Sequence, residues 1–422
     1  ATRQTSGRVL LIPRRQTAPM TPIERIAPPW LSHPGTQAVM AALEAARPAG
    51  SRFVGGCVRN VFRGTMQSDD DIDIATRLEP PAVIAALEAA GIRALPTGID
   101  HGTITAIVDH KPFEITSLRR DVETDGRRAV VAFTQDWAED AERRDFRLNA
   151  IYADPDGTLH DPTGKGIEDA AAGRVIFIGD ADQRLREDYL RILRFFRFNA
   201  WYAAGIDADG LAACERQRNG LEQIAAERIW KELHKLLSAP KPVEAVMAME
   251  ASGVLDVILP FLSTTDVLHD LRVTEQLCGV QVDPLLRLMA LMPRTAQAVQ
   301  ATSEKLRLSN ADTARITAWA ADNLPDVTQF NGRALRAALY WHGAQAVTDR
   351  ALLSGKDVRD LLWAIRSWRR PAFPIGGDDA LAVGLKGADI GKALRKLEEA
   401  WMADDFQADR ADLLQRLSAF AA

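Results

Sequence analysis

The chain has 422 residues, 47% hydrophobic and 26% charged, with a formal net charge of −5 and a pI near 5.9. That length holds a sizeable core in several domains without disulfide or metal staples, and the acidic balance excludes a protein that coats nucleic acid through bulk positive charge, though not one with a locally basic cleft. Three widely spaced cysteines, Cys57, Cys214 and Cys278, exclude a disulfide framework and a Cys-x-x-Cys zinc knuckle and suit a reducing compartment, and no apolar run reaches the length of a membrane span.

In chain order, residues 1–19 come first. They carry Arg3, Arg8, Arg14 and Arg15 and no acid, a composition shared by organelle transit segments and by plain leaders. The expectation is a disordered basic leader over 1–30, with Met20 as an alternative start. The protein is then cytoplasmic, or mitochondrial if the segment is a transit peptide. The spacing of Val39, Met40 and Leu43 predicts a helix over 36–47, ended by Pro48. Arg52-Phe53-Val54 reads as a short strand running into Gly55-Gly56, and 58–62 as a short helix stopped by Gly64. Asp71-Ile72-Asp73-Ile74 alternates with the period of a half-buried strand. A helix over 81–90 starts on proline and stops at Gly91, and strands follow over 102–109 and 112–118. After Asp180 the strand signals nearly vanish. Helices are expected over 185–199, 226–237, 243–251, 284–292, 310–321 and 333–340, with a helical tail over 378–420. The fold class is α+β: a small mixed-sheet head over 31–178, then an all-α neck over 179–260, body over 261–370 and tail over 371–422.

Asp71 and Asp73 are two apart on a predicted strand, so their carboxylates point the same way, roughly 7 Å apart along the backbone. Two such charges repel unless a cation neutralises them. Oxygen ligands of this kind suit Mg²⁺, which binds through one or two carboxylates plus substrate phosphates. Glu114, on the strand Phe113-Glu114-Ile115-Thr116, is the third candidate ligand of a two-metal site for in-line displacement at phosphorus. A solvated acidic turn explains a lone Asp-x-Asp equally well. Upstream, Gly55 and Gly56 between a strand and a helix let backbone N–H groups approach a triphosphate, and Arg59 lies one turn further on. Alone, a Gly-Gly pair is usually a turn; with Asp-x-Asp about a dozen residues later it means more.

Phe53-Val54-Gly55-Gly56-Cys57-Val58-Arg59 through Asp71-Ile72-Asp73-Ile74-Ala75-Thr76 resembles the signature of class II tRNA nucleotidyltransferases, the CCA-adding enzymes, which is shared with bacterial poly(A) polymerases. Further motifs follow in that family's order. Arg143-Arg144-Asp145-Phe146-Arg147-Leu148-Asn149-Ala150 resembles the sugar-contacting motif. Asp161-Pro162-Thr163-Gly164 with Ile167-Glu168-Asp169 resembles the loop closing the head. Glu187-Asp188-Tyr189-Leu190-Arg191-Ile192-Leu193-Arg194 resembles the base-recognition helix, and Glu227-Arg228-Ile229 the helix that braces it. The resemblance implies a polymerase-β-like head and a metal site on Asp71, Asp73 and Glu114. It implies nucleotide binding by Gly55, Gly56, Arg59, Arg144, Asp145, Asn149, Asp188, Arg191, Arg194 and Arg197. Within it, Asp145 and Asn149 hold the ribose, and residues 119–133 form a flexible loop that switches from C to A addition.

The recognition segment also makes physical sense by itself. Asp188 and Arg191, three apart, share a helix face, and an acceptor beside a donor fork can mimic the edge of a partner base. Cytosine and adenine both offer an exocyclic amino donor beside a ring acceptor; uracil and guanine do not. A surface ion-pair helix is the alternative. The implied reaction is attack by a tRNA 3′-hydroxyl on the α-phosphorus of CTP or ATP with Mg²⁺ as cofactor and pyrophosphate released. The partners are tRNA, CTP and ATP, with no membrane. Recognition of tRNA is expected to rest on a basic strip near Arg184, Arg186, Arg194 and Arg197. The rivals are a poly(A) polymerase and an inactive tRNA-binding module. Gly98-Ile99-Asp100-His101-Gly102-Thr103-Ile104-Thr105 resembles the CCA-adding branch. The chain departs from the family pattern at Asn60, where Asp is usual, at Thr65, at Arg147 in place of Thr, and in an extra acid, Asp70. His269-Asp270 looks like a phosphohydrolase pair but lacks other ligands nearby. Trp363 and Trp368 are expected to pack in the core rather than to stack on bases.

Overall fold

The computed structural model describes residues 24–64, 71–124 and 129–420. The leader, Thr65 and Asp70 lie outside the described residues. The described chain divides into two compact units, one running to Pro260 and including Lys305–Arg307, the other formed by Phe261–Glu304 and Leu308 onward.

The first unit opens with α1 (Pro34–Ala46), β1 (Ser51–Val54), α2 (Gly56–Arg63), β2 (Ile72–Thr76) and α3 (Pro80–Ala89). It continues with β3 (Arg93–Gly98), β4 (Thr103–Val108), β5 (Lys111–Ser117), β6 (Arg119–Thr124), β7 (Ala129–Phe133), α4 (Trp137–Glu142), β8 (Tyr152–Ala153), β9 (Leu159–His160) and α5 (Gly166–Ala172). Seven strands form one mixed sheet in the order β3-β4-β5-β2-β1-β8-β9, with β2 and β5 parallel and every other pair antiparallel. The reason is the alternation of β2 and β5. Ile72, Ile74, Phe113 and Ile115 are fully buried on one face, with Val39 and Leu43 of α1 and Val83 and Leu87 of α3 also in the core. Burial of each such side chain contributes about 1.5–3 kcal/mol. The other face carries Asp73 and Glu114, and Ala75 packs there into a second cluster with Trp137 and Tyr152. The expected flexible loop over 119–133 is instead a two-stranded ribbon in its described parts, β6 against β7, with a register shift between Asp121 and Glu123.

Helices α6 (Ala181–Glu187), α7 (Leu190–Tyr202), α8 (Ala208–Gln217), α9 (Ala226–Leu237), α10 (Pro242–Ala251) and α11 (Val254–Ile258) complete this unit. The single helix expected over 185–199 is broken. Asp188 is extended (φ −153°), and its carboxylate accepts the N–H of Leu190 at 3.1 Å, so one helix ends and the next begins there. Phe146 and Phe177 pair as an isolated bridge and stack with Phe195 and Phe198 of α7, centroids 4.9 to 6.3 Å apart, which ties the end of the head to this helix.

The second unit is helical: α12 (Asp266–Cys278), α13 (Pro284–Ala290), α14 (Ala296–Leu306), α15 (Asn310–Ala321), α16 (Gly332–Leu352), α17 (Arg359–Ser367), α18 (Gly377–Ala382), α19 (Ala388–Ala403) and α20 (Arg410–Ser418). The helix expected over 333–340 runs on to Leu352 through a kink at Gly343 (φ 79°). Ile375, Leu397, Trp401, Leu413 and Leu417 form the core of the final helices. No helix among the described residues is long and apolar enough to cross a membrane.

Candidate active site

The site starts at the end of β1. Gly55 has φ 74°, and a Cβ built there would lie 3.2 Å from Asp73 Oδ2. Only glycine lets the chain turn into α2 this close to the acid. Asp73 stands opposite Glu114 in the parallel register of β2 and β5, and Asp71 sits exposed one residue before β2. Burial pushes the Asp73 carboxyl up to about 6, and Glu114 and Asp71 push it the same way, against the opposing pull of Arg144 and Arg59.

This donor set fits Mg²⁺ in its chemistry: all the ligating atoms are carboxylate oxygens, and their mutual repulsion asks for a cation. Among the described residues no three His, Cys, Asp or Glu side chains converge into a ready-made metal cage. Mg²⁺ commonly takes only one or two carboxylates and completes its shell with waters and substrate phosphates.

An acid with a raised pKa destabilises the fold at high pH and does so less as it protonates. Asp73→Asn is therefore expected to stabilise the metal-free protein at pH 8 by about 2 kcal/mol, a gain that fades as pH falls through 6 towards 4. Denaturant melts at the two pH values check this; a variant less stable than the parent at pH 8 would contradict the like-charge account.

Beside the acids, four of the predicted nucleotide-binding residues, Arg59, Asn149, Asp145 and Arg194, form one hydrogen-bonded chain. Arg59, buried, donates to Asn149 Oδ1 at 2.5 Å, to Asn60 Oδ1 at 2.9 Å and to the Tyr202 hydroxyl at 2.8 Å, and its guanidinium lies 4.0 Å from the Tyr202 ring centroid. Asn149 donates to Asp145 Oδ1 at 3.0 Å, and Arg194 donates to Asp145 Oδ2 through Nε and Nη2 at 2.7 and 2.5 Å. Burial alone would raise the Asp145 carboxyl, but Arg194 and Asn149 hold it at about 2. Arg59 thus points to Asn149 and Tyr202, where a phosphate contact was expected. Asp145 and Asn149 spend their polar atoms on each other, Arg59 and Arg194. The neutral Asn60 accepts from Arg59, an acceptor role that its amide oxygen fills without adding a buried charge.

Arg144 turns towards Asp140 Oδ2 (3.0 Å) and the Tyr152 hydroxyl (3.2 Å), with its charge reaching Asp73. Burial would raise Asp140, but Arg144 and Arg143 keep it well below the usual carboxylate range. Arg147, the departure from Thr, forms an ion pair with buried Asp169 at 2.8 Å, so the loop motif is tied to the sugar motif.

The recognition segment differs from expectation. Asp188 and Arg191 do not pair. Asp188 Oδ2 accepts from Arg228 of α9 at 3.0 Å, while Arg191 donates to Glu187 Oε2 at 2.5 Å and to the Arg143 carbonyl at 3.0 Å. Asp188 lies just before α7 and Arg191 in its first turn, so the two are not on one continuous helix. The expected basic strip is also partly neutralised. Arg184 pairs with Glu187, Arg194 with Asp145 and Arg197 with Glu232. His269 and Asp270 are both exposed and lie 3.4 Å apart, as a surface pair. Asp140, Tyr152, Tyr202 and Glu232 were missed. Asp140 had a local signal in its spacing to Arg143 and Arg144; Tyr202 and Glu232 act across long sequence separations and had none.

Comparison with known proteins places these residues in a family. Residues 51–176 match the Poly A polymerase head domain, and 205–265 match the probable RNA and SrmB-binding site of polymerase A. The mitochondrial CCA tRNA nucleotidyltransferase 1 of Danio rerio is 33% identical over 383 residues, 87% of this chain and 86% of that protein. Its human counterpart is 34% identical over 379 residues, 86% and 85% of the two chains. The crystal structure of the Bacillus stearothermophilus CCA-adding enzyme in complex with CTP has a similar fold, with a TM-score of 0.70 at 23% identity, covering 92% of this chain and 98% of that one. With a third of its residues identical across most of both lengths, and a mixed-sheet head followed by helices as in that crystal structure, the chain belongs to the CCA tRNA nucleotidyltransferase family.

Proposed function

We propose that this protein adds C, C and A to the 3′ end of tRNA from CTP and ATP, releasing pyrophosphate, and that the acid face of the head is where it does so. The observation that carries the assignment of the site is the register of β2 and β5, which sets Asp73 beside Glu114 with Asp71 two residues away. Asp71 and Asp73, with Glu114 as a further ligand, would hold Mg²⁺. The ion, when bound, lowers the pKa of the attacking hydroxyl and offsets the charge of the triphosphate. Gly55 and Gly56 present backbone N–H groups at the start of α2, where an anion is favoured. Arg144 adds a fixed positive charge near Asp73. Asp145, Asn149, Arg59 and Arg194 act as positioning residues that hold the head's sugar motif against α7, and Arg197 ties α7 to Glu232 of α9. Asp188, oriented by Leu190 N–H and Arg228, offers the acceptor for an exocyclic amino group, and Arg191 steadies the segment.

We read the head as 31–178 and the helical neck as 179–260. The three free cysteines, two of them buried, suit a reducing compartment, cytoplasmic or mitochondrial.

Incubation of tRNA lacking its 3′ end with Mg²⁺ and radiolabelled nucleotides tests the reading. CTP, and ATP after it, are incorporated, whereas UTP and GTP are not. Equal use of all four nucleotides would remove the role given to Asp188.

A further inference from the structure

Of the two tryptophans expected to pack inside, one does and one does not. Trp368 lies against the core of the final helices, its ring 6.2 Å from that of Phe406. Trp363, five residues earlier, is 73% exposed, more than any other large apolar side chain among the described residues. The cause is the register of α17. Leu362 and Ile365 take the buried side, so Trp363 and Arg366, one turn apart, share the solvent side. Tryptophan is enriched at interfaces because its ring is large and apolar while its indole N–H can still bind a partner.

Its surroundings narrow the partner. The chain is acidic overall, yet it is free of acid from Leu361 to Gly377, a stretch that holds Arg366, Arg369 and Arg370. The two acids just before it, Asp357 and Asp360, line a groove with Phe330 and Leu361; Asp357 is taken up by Arg359 at 2.6 Å, and Asp360 is exposed one turn before Trp363. Arg370 is held over the Tyr340 ring, 4.5 Å from its centroid. Arg366 and Arg369 are exposed. An exposed aromatic followed by two exposed guanidinium groups is complementary to RNA: a π-face for a base, donors for phosphates.

We infer that Trp363, Arg366 and Arg369 form a contact surface for the tRNA substrate, with Trp363 stacking on an accessible base and the arginines meeting the backbone. The inference rests on the proposed function, since it takes tRNA as the RNA that this protein meets.

Binding of the full chain to tRNA lacking its 3′ end, read by fluorescence anisotropy across a salt series, tests it. Trp363→Ala is expected to weaken binding about ten-fold, and Trp363→Phe to recover most of the loss. Arg366→Gln with Arg369→Gln is expected to flatten the slope of log affinity against log salt by about one to two. A Trp363→Ala affinity within two-fold of the parent would overturn the inference, as would an unchanged salt slope in the double variant; a protein partner for this face would give both of those results. Binding is read here and not turnover, so a chain that grips tRNA through Trp363 but never extends it would contradict the proposed function and leave this inference standing.

Discussion

Asp73→Ala is expected to abolish nucleotide incorporation, by about 10³-fold or more, while tRNA affinity stays within about two-fold of the parent. The expectation follows from where Asp73 sits. It is the carboxylate between Asp71 and Glu114, the one whose pKa both neighbours raise to about 6, and the one that Gly55 approaches within 3.2 Å of a notional Cβ. On the proposed function, removing it deletes the centre of the cation site and leaves the proposed RNA-contacting surface in place. Loss of fold is not an alternative cause, because the same substitution relieves repulsion among three acids and should not lower stability in metal-free buffer. Rapid-quench turnover paired with tRNA binding separates the outcomes. Turnover retained within ten-fold would refute the site.

Asp145→Ala has the largest expected effect on stability. Asp145 is buried, and its two oxygens serve Arg194, Asn149 and the N–H of Phe146. Breaking such a pair strands a guanidinium near the interior and costs about 3 kcal/mol, at the low end for a buried pair because the Arg194 side chain is one-third exposed. The pH dependence carries the same signature. A carboxyl lowered from 3.8 to about 2 contributes stability that is complete above pH 4 and is lost as pH falls towards 2. The parent should therefore lose about 2 kcal/mol over that range that Asp145→Ala does not lose. Parallel acid denaturation curves for parent and variant would contradict the network.

The parts of the site that were legible in the sequence are the local ones. Asp71-Ile72-Asp73-Ile74 alternates because one side of β2 must face the core, and the glycine pair stands out because Gly55 needs positive φ. Neither depends on anything distant. The partners were not legible. Arg59 meets Tyr202 143 residues later in the chain, and Arg194 reaches back 49 residues to Asp145. Nothing local says that these cations face inward, so they read as phosphate ligands. The break at Asp188 was hidden for a related reason: its flanks are strong helix formers, and only the hydrogen bond from Leu190 N–H marks the end. Two-residue strands such as β8 and β9 are too short to show a period. Gly343 concealed the second half of α16 by interrupting the pattern without ending the helix.

Net charge takes on a narrower meaning in this light. Arg184, Arg194 and Arg197 of the neck are balanced by Glu187, Asp145 and Glu232, while Arg186 is exposed, so the strip is only partly neutralised. The acid-free stretch after Leu361 leaves Arg366 and Arg369 exposed.

The central claim is that the acid face of the head builds a defined CCA end without a template. The most direct measurement is the length of the product, resolved to single nucleotides, from tRNA lacking its 3′ end with Mg²⁺, CTP and ATP together. The account predicts that extension stops after three additions, with C, C and A in order. Long tracts of A, or no extension at all, would contradict it.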